Sequence, residues 1–520
     1  MAGLHDPATF TDLVLTAIRR WPDRVAFRQG DTTWTYRQLE DRIARLTALL
    51  RESGLRRGEG VGVLSPNRPE VYLAQTAPSF AGGRYTALHP LGSLDDHVYA
   101  CDEAELKVLL VDATYAPRAG ELLERCPSVE RVLTFGPADV GDELDPLLEA
   151  TPPAPLRPGD RDPEEVSWLL YTGGTTGVPK AAMLPERAVA QMVQSVSIGW
   201  DLPAERRYLA CAPISHAAGM MVTPVLLAGG SVILMKSFDP GEWLHQATTH
   251  RATLGLLVPT MIYAVLDHPA LDGTDLSALQ TVMYGASPMS PTRLVEGIER
   301  IGPVFAQLYG QTECAGIATA MSRADHRTDD LARLTACGFP MPGVRIAVRD
   351  DDGRELEPGT PGEICVQGAT VMQGYFKQPE LTAETIGGGW LRTGDVAVRD
   401  EVGRYYIVDR KKDMIVSGGF NVFPREIEDV LTSDPSVSVA AVIGVPDDKW
   451  GEAVTALVVA RPGATPDVDA LRQLVRDRKG AVYAPKTVEV VDSLPLTPVG
   501  KADKKVLRAK YWGDRSRAVN

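Results

Sequence analysis

Paired cysteines are missing from this chain. Its six cysteines (Cys101, Cys126, Cys211, Cys314, Cys337 and Cys365) form no CxxC pair and have no histidine at ligand spacing. That excludes a disulfide framework and a zinc site, and it reads as free thiols in a reducing compartment. An excess of positive charge is missing too: 54 Lys and Arg stand against 68 Asp and Glu, for a net charge of −14. The basic residues are scattered, which excludes a nucleic-acid partner. The N-terminus, Met1-Ala-Gly-Leu-His-Asp-Pro, has neither the basic nor the apolar region of a secretory signal, so a cytoplasmic protein is expected. Residues 217–235 carry no charge, but Pro224 and the pair Gly229–Gly230 break them into a buried helix, a turn and a strand. No transmembrane segment is expected. Internal repeats and low-complexity tails are absent.

What is present is alternation. Apolar strand-like runs at 61–64, 108–111, 131–135 and 254–258 are separated by stretches such as 36–50 with apolar residues at helical spacing. The pattern predicts an α/β protein with parallel-type sheets covered by helices. Turn residues cluster at 136–165, read as a surface loop. After about residue 345 the segments shorten (345–349, 362–366, 404–408) between Asp/Gly turns, predicting a small antiparallel, β-barrel-like unit. Residues 409–413, Asp-Arg-Lys-Lys-Asp, read as a solvated linker. A compact α+β unit of about a hundred residues follows, with strands at 439–445 and 455–460 and helices at 424–432 and 468–478.

Four short motifs carry chemistry. The first runs from an apolar strand into Thr172, Gly173, Gly174, Thr175, Thr176, Gly177 and, after two intervening residues, Lys180. Glycines let backbone N–H groups approach phosphate oxygens, hydroxyls add donors without bulk, and the lysine adds charge. The spacing is not that of a Walker loop. The second is Tyr309-Gly310-Gln311-Thr312-Glu313, where an aromatic ring can stack a purine while a hydroxyl and a carboxylate meet phosphate and magnesium. The third pairs Asp395, a carboxylate able to accept two ribose hydroxyls, with Arg410 fifteen residues on. The fourth presents Lys501 on a Pro/Gly loop near the C-terminus, suited to neutralising charge shared by a carboxylate and a phosphate.

In this order and with these gaps, the motifs resemble the adenylate-forming superfamily, which includes acyl-CoA synthetases, luciferases and peptide-synthetase adenylation domains. The likeness covers nearly the whole chain. It looks closest to the fatty-acyl-CoA synthetases of actinobacteria, through Tyr85-Thr-Ala-Leu-His-Pro-Leu-Gly-Ser93, Phe420-Asn-Val-Phe-Pro-Arg-Glu-Ile427 and Lys449-Trp-Gly-Glu-Ala-Val454. The resemblance implies ATP and Mg2+ as cosubstrate and cofactor, and CoA as acceptor. It places the 172–180 loop on the β- and γ-phosphates and Gly285, Ala286, Ser287, Tyr309 and Gly310 around adenine. Thr312 falls on the α-phosphate, Glu313 on magnesium, and Asp395 and Arg410 on ribose. Lys501 bridges the acid and the α-phosphate, and His216 stands beside the carboxylate. It implies an N-terminal domain at 1–409 (its β-rich part 345–409), a hinge at 410–413 containing Lys412, and a mobile C-terminal domain at 414–520. Ser417, Gly418, Gly419 and Phe420 fall where pantetheine passes.

Three positions depart from the family pattern. Glu186 replaces a common histidine after the phosphate loop, putting an acid near a polyanion unless it points away or meets Arg187. Leu308, where glycine is often found, narrows the acid pocket. Tyr483 stands where many relatives have lysine. The pocket residues Met220, Val258, Met283, Leu308, Ala315 and Gly316 belong to segments without arginine or lysine, which favours an apolar monocarboxylate, fatty or aromatic, over a diacid. The expected product is an acyl-CoA. The alternative is transfer to a carrier protein or another nucleophile, including nitrite activation to diazotise an aryl amine. A homodimer is left open.

Overall fold

Helical spacing of apolar residues and a reciprocal cap set the first framing element. Helix Tyr36–Glu52 starts where the Thr35 hydroxyl accepts from Gln38 N and the Gln38 side chain accepts from Thr35 N. It buries Leu39, Ile43, Leu46 and Leu50. In the neighbouring strand Gly60–Leu64 every residue is buried. A Cβ on its Gly62 would lie 2.6 Å from Leu109 Cδ2, so the leucines of strand Leu106–Asp112 occupy the room that the glycine leaves. The computed structural model describes residues 8–172, 179–410, 413–417, 420–447, 450–497 and 502–512. Of the predicted site, Gly173, Gly174, Thr175, Thr176, Gly177, Lys412, Gly418, Gly419 and Lys501 lie outside the described residues.

The architecture is the expected α/β one. A nine-stranded sheet runs, in spatial order, Phe339–Pro340, Thr319–Met321, Phe305–Tyr309, Thr281–Tyr284, Leu254–Leu257, Arg207–Ala210, Ser231–Leu234, Val25–Gln29 and Thr32–Thr35. Its central pairings are parallel and its edge pairings antiparallel. An eight-stranded sheet carries Gly60–Leu64, Arg84–Ala87, Leu106–Asp112 and Val166–Thr172 in parallel, closed at one edge by Lys180–Pro185 and Gly374–Tyr375. Helices Phe10–Arg20, Pro69–Ala81 and Glu186–Gly199 contribute to the largest core cluster, which draws side chains from both sheets. The small antiparallel sheet (Val344–Arg349, Gly362–Gly368, Trp390–Arg399, Ile386–Gly387, Tyr405–Arg410) follows, and then an α+β unit with its own core. Arg461 of that unit reaches Glu296 of the large one at 3.5 Å. Among the described residues no helix is long and apolar enough to cross a membrane.

Three local expectations change. The loop expected at 136–165 contains strand Asp142–Glu143 and helix Leu144–Ala150, which buries Leu144 and Leu148; two leucines at i and i+4 among turn residues suffice for a short packed helix. The linker expected at 409–413 is not solvated at its start. Asp409 and Arg410 end strand Tyr405–Arg410, and Asp409 is 7 % exposed, accepting from Arg410 N and Arg425 N. Glu186 points away from the phosphate loop. Its carboxylate is fully buried, accepts from Thr11 N at 3.1 Å and sits 3.6 Å from Arg161 Nε, while Arg187 pairs with Glu164.

Burial outweighs Arg161 and the hydrogen bonds in raising the Glu186 pKa above its ordinary 4.5. A raised carboxyl pKa means that the native state holds the proton more tightly. Stability from this group is therefore complete below pH 4.5 and is lost as pH rises through the folded value. Glu186→Gln, which keeps an acceptor for Thr11 N, is expected to lack that loss, whereas Glu186→Ala orphans the N–H and costs about 2–3 kcal/mol. Thermal midpoints recorded between pH 5 and pH 8 check this; a Gln variant with the wild-type pH slope rejects it.

Candidate active site

Parallel strands deliver their loops to one end of a sheet, and ligands bind beyond those carboxyl ends. Here His216 follows strand Arg207–Ala210, Val258 follows Leu254–Leu257, Gly285-Ala286-Ser287 follows Thr281–Tyr284, and Gly310-Gln311 follows Phe305–Tyr309. The other sheet contributes a hairpin, not a helix start. Strands Val166–Thr172 and Lys180–Pro185 are antiparallel with Thr172 opposite Lys180. This explains why the spacing is not that of a Walker loop, which opens into a helix.

Among the described residues, the ends of the first motif meet the second, and the second meets the third. Tyr309 OH donates to Asp395 Oδ2 at 2.7 Å, and Gln311 Nε2 donates to the same oxygen at 2.8 Å. Arg410 Nε lies 3.2 Å from Asp395 Oδ1, on the paired strand where Asp395 faces Arg410 in register. Asp395 is only 3 % exposed. Burial, and then the Asp395 charge, push the Tyr309 pKa far above its usual value, so the phenol stays a donor. A second cluster joins the hairpin to the same segment. Tyr375 OH donates to Glu313 Oε1 at 2.8 Å, Thr172 Oγ1 stands 3.5 Å from that oxygen, and Lys180 Nζ lies 5.3 Å from the centre of the Tyr375 ring. Met372 N donates to Glu313 O, which holds the backbone of the turn Thr312–Cys314.

Backbone geometry enforces the small residues. A Cβ on Gly310 would sit 2.3 Å from Gly316 O, and one on Gly285 would sit 2.4 Å from Leu308 O; neither backbone oxygen can yield. Ala286 and Ala315 have φ of +64° and +54°, a left-handed conformation that costs alanine of order 1 kcal/mol and concentrates at functional sites.

The acid side is apolar. His216 begins the turn Ala217–Met221. Its Nδ1 is 2.9 Å from Ser215 Oγ, and its ring meets His89 edge-on at 4.7 Å. Burial, with His89 adding to it, lowers the His216 pKa to about 3, so the imidazole is neutral. Met220 closes on Gly316, whose Cβ position is 2.4 Å from Met220 Cε, and Leu308 closes on Gly285. Met220, Val258, Leu308 and Ala315 are each 7 % exposed. Met283 has no exposed surface and belongs to the core shared by the two sheets. Ser417 is buried and pairs with Phe420, which is 60 % exposed. Sequence reasoning missed Tyr375 and His89. Tyr375 reaches Glu313 from 62 positions away and has no motif of its own, and nothing in the run 85–93 marks His89 as the neighbour of His216.

Residues 14–376 match the family model of AMP-binding enzymes, and residues 426–501 match that of the AMP-binding enzyme C-terminal domain. The chain is 44 % identical over 530 residues to the medium/long-chain-fatty-acid–CoA ligase FadD8 of Mycobacterium tuberculosis, covering 99 % of this chain and 92 % of that protein. It is 37 % identical over 500 residues to a feruloyl-CoA synthase of Amycolatopsis sp, covering 95 % and 97 %. Among solved structures it superposes on the amide bond synthetase McbA from Marinactinospora thermotolerans with a TM-score of 0.88 at 35 % identity, over 96 % of this chain and 100 % of that one. Matched across its large unit and again across its small one, the chain belongs to the AMP-binding enzyme family.

Proposed function

We propose that this protein uses ATP to convert an apolar monocarboxylic acid, fatty or aromatic, into an acyl-adenylate and then passes the acyl group to the thiol of CoA. The observation that carries this reading is the convergence of separated motifs on two carboxylates: Tyr309, Gln311 and Arg410 around Asp395, and Thr172, Lys180 and Tyr375 around Glu313. Full-length likeness to a fatty-acid–CoA ligase and a feruloyl-CoA synthase supports both the acid class and the acceptor.

In this reading Asp395 and Arg410 hold ribose, and Gly285, Ala286, Ser287, Tyr309 and Gly310 form the adenine wall. Thr172, Lys180 and the segment 173–177 hold the β- and γ-phosphates, and Thr312 meets the α-phosphate. Among the described residues no group of three His, Cys, Asp or Glu side chains forms a metal cluster by itself. That fits a magnesium ion held by the triphosphate and one carboxylate, Glu313. Magnesium, when bound, supplies positive charge against the departing pyrophosphate.

In the first step a carboxylate oxygen of the acid attacks the α-phosphorus in line and the bond to pyrophosphate breaks. His216 is neutral and offers the acid a hydrogen bond, not a charge. Cationic stabilisation falls to Lys501, carried by the C-terminal unit 414–520 beyond a hinge at 410–413. In the second step the thiolate attacks the acyl carbonyl and AMP leaves, with the thiol reaching the site along Ser417–Phe420. The structural likeness to an amide bond synthetase supports a second reading, in which an amine takes the acyl group.

Pyrophosphate release over a panel of fatty, aryl and branched acids, with and without CoA, tests the function; no release with any acid rejects it. Lys501→Ala is expected to lower acid-dependent pyrophosphate exchange by at least ~100-fold while leaving ATP affinity nearly unchanged; unchanged exchange removes Lys501 from the chemistry. Leu308→Ala is expected to open the pocket and raise the decanoate-to-octanoate ratio of kcat/KM by roughly 10-fold, the scale of two buried methylenes. An unchanged ratio places Leu308 outside the pocket.

A further inference from the structure

The phosphate hairpin is tied at its base to one end of helix Leu94–Glu103. Tyr171 OH donates to Glu103 Oε2 at 2.5 Å and approaches Ala100 O at 3.2 Å. Burial, and then Glu103, raise the Tyr171 pKa well above its ordinary value, so the phenol is the donor. On the other side of the tip Tyr99 OH donates to Pro179 O at 3.3 Å, and the Tyr99 and Tyr171 rings meet edge-on at 6.2 Å. The same helix end also reaches the segment that follows strand Gly374–Tyr375, which lies beside the hairpin in the same sheet. Lys377 Nζ donates to Glu103 O at 2.9 Å and to Glu105 Oε1 at 2.8 Å. Lys377 has φ of +56°, a conformation that a lysine keeps only where its surroundings fix it. Two residues earlier, Tyr375 holds Glu313. Successive strand side chains point to opposite faces. While Tyr171 grips the helix on one face, Thr172 is therefore presented on the other, toward Glu313.

We propose that Tyr171 and Glu103 are positioning residues for adenylation: their hydrogen bond fixes the base of the hairpin and thereby the placement of Thr172 and Lys180 relative to Glu313. The inference rests on the adenylation reading and extends it to two side chains that touch no reactant. It separates the two half-reactions, because the hairpin faces the triphosphate and pyrophosphate has left before the thiol attacks.

The test uses the full-length enzyme and whichever acid of the panel gives the highest wild-type rate. Tyr171→Phe and Glu103→Ala are each expected to reduce acid-dependent pyrophosphate exchange about 10-fold and to raise KM for ATP. Transfer from the supplied acyl-adenylate to CoA should stay within about twofold of wild type. Glu103→Gln, which still accepts from the phenol, should restore most of the exchange. The double variant Tyr171→Phe/Glu103→Ala should be no worse than either single one, because both remove the same bond. Equal losses in both half-reactions, no loss in either, or additive losses in the double variant overturn the positioning role. If the wild-type enzyme itself exchanges no pyrophosphate with any acid, the adenylation reading falls and this inference falls with it; normal exchange in wild type and variants alike overturns the inference alone.

Discussion

A buried carboxylate where the nine-stranded sheet meets the small antiparallel one is the constraint on which this molecule depends. Asp395 is nearly inaccessible to water, so its charge is tolerable only while donors surround it. Tyr309 and Gln311 come from the end of a parallel strand and Arg410 from the neighbouring antiparallel one. Satisfying one ion therefore locks the nine-stranded sheet to the five-stranded one. The same few residues that secure Asp395 are continuous with Glu313, which the hairpin and Tyr375 hold from the opposite side. The cleft is thus a junction at which several substructures share a small number of polar contacts.

Packing adds a second layer of rigidity. Gly310 and Gly285 bring backbone against backbone at distances that exclude any side chain. Two alanines in left-handed conformation flank the cleft. Such strain persists where the surrounding structure determines it, and here the surroundings are the cores on both faces of the nine-stranded sheet.

Much of this was legible beforehand, for identifiable reasons. The parallel strands announced themselves through short apolar runs, because a strand buried on both faces has no polar side. The Tyr309–Glu313 segment and the Asp395–Arg410 pair were legible because each combines residue types whose chemistry is scarce elsewhere. What stayed hidden was tertiary in origin. Tyr375 acquires its partner only when strand Gly374–Tyr375 adds to Lys180–Pro185. Glu186 looked ominous beside a phosphate loop because sequence gives no direction to a side chain; the N-terminal helix and Arg161 supply it. Asp409 looked solvated because charge usually is, yet Arg410 and Arg425 supply backbone donors that admit it to the interior.

The antiparallel pairing of Thr172 with Lys180 carries one more implication, a rule of parity. Were the two strands to slide by a single position, every side chain of one would exchange faces, and the ammonium of Lys180 would turn its back on Tyr375. The kink between Val166 and Trp168 and the third strand alongside act as stops against such sliding. The phase in which the two arms are stitched, and not their separation alone, is therefore what keeps Lys180 on the side of Tyr375.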